Sequence, residues 1–169
     1  MNALILGGES PRHYEWVRTV AESLRPHFDK VVYLDYRHWT AGGSSDIDYE
    51  IGQAALLAQE LGEYIIVAKS MGTVVASLGT ARGELHPLRC IFMGTPLGLV
   101  ERVAGAPEAT QKLPPTVFIQ NEHDPDSSAE QVQAFVAERG NKQASCVVVP
   151  GDTHDYIDFA LIDRIALQK

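Results

Sequence analysis

The chain has 169 residues, of which 45% are apolar and 21% charged, and it carries a net charge of −8. That length fits one domain, 1–169, with a substantial core, and the ordinary balance is that of a soluble globular protein. Scattered negative charge repels a phosphate backbone or an anionic bilayer, which argues against nucleic acid and membrane as partners.

Asn2-Ala3-Leu4-Ile5-Leu6 opens the chain as a short apolar strand, with no basic segment or small-residue cleavage site before it. No secretory signal is expected, and no apolar run approaches the roughly 18 residues of a membrane helix. Gly7-Gly8-Glu9-Ser10-Pro11 ends that strand in a loop, and Trp16, Val17, Val20 and Leu24 recur at helical spacing over about residues 14–25. Val31 to Leu34 is a second strand. A polar loop over residues 35–48 carries Trp39, and an Ala/Leu/Gln/Glu-rich helix follows over about 49–61, closed by Gly62.

Tyr64 to Val67 is a third strand. It runs with no spacer through Ala68-Lys69-Ser70-Met71-Gly72 into the small and apolar residues of a helix that stops near Gly83. Arg89 to Met93 is a fourth strand and Thr116 to Gln120 a fifth, while residues 97–114 show no clear periodicity apart from Leu99, Val100 and Val103, whose spacing would line a short helix. Ser128, with Gln131 three positions on, reads as a capping box opening a helix that ends before Gly140. Ala144 to Val149 is the sixth strand and Ile157 to Leu167 the last helix. Cys90 and Cys146 fall inside strands expected to be buried, and read as free thiols of a reducing cytoplasm.

Six apolar strands alternating with helices predict an α/β fold with a parallel sheet covered on both faces, a three-layer doubly wound arrangement. In such a sheet the functional groups gather at the carboxyl ends of the strands. Ser70 follows the third strand there. An abrupt strand-to-helix turn strains its central residue, so small residues are required two positions before and after it, and Ala68 and Gly72 supply them. The bland alternative is that Ser70 only caps a helix.

Two other strand ends carry complementary groups. Asn121-Glu122-His123-Asp124-Pro125 follows the fifth strand and Pro150-Gly151-Asp152-Thr153-His154-Asp155-Tyr156 the sixth. A serine hydroxyl needs a base to attack a carbonyl at neutral pH, a neutral imidazole is such a base, and a carboxylate fixes its tautomer. His154 is the expected base and Asp124 the expected carboxylate, with Asp126 in reserve.

The small-x-Ser-x-Gly turn and the order serine, acid, histidine resemble the nucleophile elbow and triad of the α/β-hydrolase superfamily, specifically its small members without a cap domain. The resemblance implies strand order 2-1-3-4-5-6 and covers the whole chain, with Ala68 standing where the family usually has glycine. It also implies an oxyanion hole from the backbone N–H of Met71 and one from the loop after the first strand. Gly7-Gly8-Glu9 resembles the family's His-Gly-x loop, which points to Glu9, with Gly8 and Ser10 as alternatives.

The reading is a cytoplasmic serine hydrolase acting on a small-molecule carboxylic ester, or a thioester or amide, through an acyl-enzyme. Gly8, His13, Trp39, Leu97, Leu99 and Tyr156 are expected to line an open cleft. No cofactor is expected: the chain lacks a phosphate-binding glycine loop, and His13, His38, His86 and His123 have no metal-ligand spacing. Lys69 is expected to be solvated or partly covered. The rival readings are a catalytically weak binding or scaffolding protein on the same fold, and a nucleotide-binding α/β protein. Oligomeric state is not legible.

Overall fold

The structure is a computed structural model that describes residues 1–168. Six strands, β1 (Asn2–Leu6), β2 (Val31–Tyr33), β3 (Tyr64–Lys69), β4 (Cys90–Met93), β5 (Thr116–Asn121) and β6 (Ala144–Val149), form one sheet. Every pairing is parallel and the order is β2-β1-β3-β4-β5-β6, as expected.

Side chains alternate across the sheet and so feed two cores. Leu4, Leu6, Tyr64, Ile66, Ala68, Phe92 and Phe118 face one side. That side is closed by α3 (Ile47–Ala58), α4 (Met71–Ala81), α5 (Leu97–Arg102), α6 (Ala106–Ala109) and α7 (Ala129–Arg139). Ala3, Ile5, Ile65, Val67, Ile91 and Ile119 face the other, under α1 (His13–Leu24) and α8 (Phe159–Ala166). No helix among the described residues is long and apolar enough to cross a membrane.

Several elements differ from their expected limits, each for a local reason. The polar loop contains a one-turn helix, α2 (Arg37–Ala41), too short to show a period. α3 starts at Ile47 rather than Tyr49 because the Asp46 carboxylate accepts from the Tyr49 N–H, and α8 starts at Phe159 because Asp158 accepts from the Leu161 N–H. Residues 97–114 form α5, α6 and a 3₁₀ turn, Thr110–Lys112. The Ser128/Gln131 capping box is formed in both directions. β6 is an edge strand, so Cys146 is only half-buried, whereas Cys90 is fully buried.

Candidate active site

β3 delivers Ser70 to the N-cap of α4. Ser70 has φ +53° and ψ −126°, and it is the only non-glycine residue among those described with positive φ. Such a conformation costs on the order of 1–3 kcal/mol and persists only where the surroundings impose it. Here the imposing contact is Gly72: a β-carbon there would lie 2.6 Å from the carbonyl oxygens of both Leu6 and Gly7. Ala68, fully buried and paired with Leu6, leaves the same room on the strand side.

The β5 and β6 loops bring Asp124 and His154 together. His154 Nδ1 lies 2.8 Å from Asp124 Oδ2 and 3.0 Å from Oδ1. The carboxylate also accepts from the Tyr156 hydroxyl at 2.7 Å and from the Asp126 N–H at 2.9 Å. Burial alone would raise the Asp124 pKa, but the His154, Tyr156 and Asp126 donors together hold it below the ordinary carboxylate value. The Tyr156 hydroxyl in turn accepts from the Asn121 N–H, and the Asn121 side chain donates to the carbonyls of Thr153 and Asp155. The end of β5 thus grips the histidine loop directly. Gly94 (φ +57°) completes the seat, since a β-carbon there would sit 2.8 Å from the His154 ring.

His154 Nε2 is buried and has no hydrogen-bond partner; its nearest charged neighbour is Asp126 Oδ2 at 3.4 Å. No hydrogen bond joins it to Ser70 among the described residues. Asp124, Asp126 and His154 hold three potential ligand atoms within 4.8 Å of one another, the geometry of a small cation site. Three donors already occupy Asp124, and Asp126 is half-exposed, so the set is better described as a histidine with two carboxylates than as a metal cage.

Glu9, Ser70, Met71, Pro96, Leu99 and Asp126 line one cavity of about 330 Å³. Gly8 backs it: a β-carbon there would meet both Ser70 Cβ, at 2.9 Å, and the His13 ring, at 2.3 Å. Glu9 is anchored from behind, its carbonyl accepting from Trp39 Nε1 at 3.1 Å and lying 2.7 Å from His38 Nε2. His38 is itself buried beside Glu50, with 3.8 Å between Nδ1 and Oε1, and burial raises the Glu50 pKa despite His38 and Arg37. Trp39 therefore braces the loop rather than lining the cleft. Leu97 packs on the α4-side core and donates its N–H to Ser127, leaving Leu99 as the apolar wall.

His13 and His154 line a second cavity, of about 440 Å³, on the α1/α8 side. Burial and the neighbouring Lys69 ammonium lower the His13 pKa to about 4, so its imidazole is neutral in the physiological range. Lys69 itself corrects the sequence reading. It is 2% exposed, because the alternation of β3 turns it, like Ile65 and Val67, toward α1, where its Nζ lies 5.6 Å from the Trp16 ring centroid and 5.9 Å from that of Tyr156.

Comparison with solved structures decides the fold. Est1E from Butyrivibrio proteoclasticus, solved with ferulic acid bound, aligns over 98% of this chain and 86% of its own with a TM-score of 0.74 and 14% identity. The chain has the α/β-hydrolase fold. An α/β serine hydrolase homologue from Coxiella burnetii aligns at 19% identity over 99% of this chain and 83% of its own, TM-score 0.74. A thioesterase domain from the curacin biosynthetic pathway aligns at 14% identity over 99% and 91%, TM-score 0.75. No protein-family model matches the chain, and no curated protein matches it.

Proposed function

We propose that the chain is a serine hydrolase that cleaves a small carboxylic ester, or a related thioester, through an acyl-enzyme, with Ser70 as nucleophile, His154 as base and Asp124 as the carboxylate that orients it. The observation that carries the reading is the Asp124–His154 pair and the one strained serine among the described residues, Ser70, all at the carboxyl ends of strands of one parallel sheet, β3 for the serine and β5 and β6 for the pair. The serine hydrolase homologue and the thioesterase domain among the structural neighbours are in keeping with that chemistry.

With Nδ1–H donated to Asp124, the lone pair of His154 is on Nε2, the nitrogen left without a hydrogen-bond partner. Ser70 Oγ gives its proton to that nitrogen and attacks the substrate carbonyl carbon. The resulting oxyanion is received by the N–H groups of Met71 and Glu9, which border the same cavity as Ser70. The imidazolium, stabilised by Asp124, then protonates the leaving group, and water repeats the sequence to release the acid. In this reading the Ser70–His154 hydrogen bond forms only once substrate is bound, since catalytic hydrogen bonds commonly tighten in the substrate complex.

The absence of that hydrogen bond in the free protein is the one observation that favours the second reading, a binding protein on the hydrolase fold. Mixing the protein with 4-nitrophenyl acetate and digesting it for mass spectrometry separates the two. The enzyme yields an acetyl group on the Ser70 peptide and a burst of nitrophenol; a binder yields neither.

A further inference from the structure

Lys69 is a cation without a counter-ion. Its side chain lies in the protein interior between Trp16 and Tyr156, and among the described residues no carboxylate comes within ion-pair distance of its Nζ and none hydrogen-bonds to it. Two aromatic faces offset part of the lost hydration, and among the described residues no protein acceptor takes the three N–H donors, which are left to whatever occupies the cavity that Lys69 borders. Burial draws the ammonium below its ordinary pKa, with Asp155 and Asp124 pulling the other way without reversing it. A buried charge left in this state is destabilising unless something completes it.

Lys69 also borders the 440 Å³ cavity, whose rim includes the apolar Trp16, Ile157 and Phe159. His154 and His13 border it too, which connects it to the reacting groups. The remaining charges there are Arg12, exposed at the mouth, and the acids Glu15 and Asp155. The two exposed acids at this cavity oppose a dianion such as phosphate, so the anion that Lys69 can receive there carries a single negative charge.

We infer that this cavity is a subsite for a carboxylate carried on an apolar body, with Lys69 as the residue that receives the charge. Resting on the hydrolase reading, the carboxylate belongs to the half of the substrate that departs. The histidine that protonates the leaving group borders this cavity, whereas the N–H groups of Met71 and Glu9 border the other one with Ser70. The substrate class is thus an ester or thioester whose alcohol or thiol portion bears a carboxylate.

Benzoate serves as the probe, titrated by calorimetry into the wild-type protein, Lys69→Met and Arg12→Ala. The subsite predicts saturable binding to wild type, weakened about tenfold to a hundredfold in Lys69→Met, the loss expected for a charged hydrogen bond, and left within about threefold in Arg12→Ala, whose charge is screened by solvent. Should Lys69→Met not fold, Lys69→Gln keeps the length without the charge and is predicted to lose binding by the same order. The ratio of kcat/KM for 4-carboxyphenyl acetate to that for phenyl acetate falls by the same order in the Lys69 variants. Absence of saturable benzoate binding, or equal binding in a folded Lys69 variant, overturns the subsite; an unchanged ester ratio overturns the leaving-group assignment. Fluorophosphonate labelling of Ser70 in the same samples keeps the two readings apart. A labelled protein that ignores benzoate loses the subsite alone, and an unlabelled protein that binds it loses the hydrolase reading and the leaving-group assignment.

Discussion

Asp124 and His154 meet through two nearly equal contacts, 2.8 and 3.0 Å, from one imidazole nitrogen to both carboxylate oxygens. Asp126, by contrast, approaches the other nitrogen at 3.4 Å and is half-exposed. The two acids therefore have different consequences when neutralised. Asp124→Asn is expected to lower turnover of a 4-nitrophenyl ester by on the order of a thousandfold, because the amide stabilises the wrong tautomer, while Asp126→Asn changes it by only a few-fold. Steady-state kinetics on both variants make the comparison, and the opposite ranking would move the orienting role to Asp126.

Tyr156 was expected to wall the cleft, and it instead spans the Asn121 N–H and the Asp124 carboxylate. Tyr156→Phe strips both partners at once and leaves a buried N–H unsatisfied, so it is expected to cost about 1–3 kcal/mol in unfolding free energy. Turnover falls as Asp124 loses a donor, with KM nearly unchanged. Chemical denaturation and kinetics read the two effects separately; full stability in the variant would remove Tyr156 from the support of the triad.

The His13 pKa of about 4 lies below the 6.5 of a free imidazole, so in that interval the unfolded chain binds more protons than the folded one. Stability is then complete above about pH 6.5 and declines as the pH falls toward 4, by ~2–3 kcal/mol. Asp124, also depressed, adds a separate loss only as the pH falls below the ordinary carboxylate range. Thermal unfolding across pH 3 to 8 is expected to show both falls in the wild type and only the lower one in His13→Gln. A His13→Gln profile that overlays the wild type contradicts the burial of a neutral imidazole.

Gly72→Ala drives a methyl group against the carbonyls of Leu6 and Gly7 at 2.6 Å, backbone that cannot rotate away. The expected loss is about 2–3 kcal/mol of stability, together with a displaced Ser70 and greatly reduced activity. Denaturant melts check the first and ester turnover the second; a wild-type melt would mean that the elbow has more room than the structure gives it.

These features differ in how far they could be read from the residues alone. The parallel sheet, the elbow and the three loops carrying Ser70, Asp124 and His154 rest on contiguous patterns, apolar strands, a small-x-Ser-x-Gly turn and polar residues at strand ends, whereas the strand order comes from the family resemblance those patterns carry. The α2 turn and the α5–α6 segment are too short for periodicity to register. Lys69 was misjudged because its environment is made by Trp16 and Tyr156, both far away in sequence, although the alternation of Ile65, Val67 and Lys69 along β3 already assigns it to the α1 face. The bracing of Glu9 by His38 and Trp39 was hidden for the same reason, since no local pattern couples residues about thirty positions apart.

Labelling with a fluorophosphonate tests the nucleophile most directly, because the probe reacts only with a serine whose proton a neighbouring base removes. The account predicts one phosphonyl group per folded chain, located on Ser70 and lost in Ser70→Ala, with the rate of labelling sharply reduced in His154→Ala. A folded wild-type protein that stays unlabelled, or a label that persists in Ser70→Ala, would contradict it.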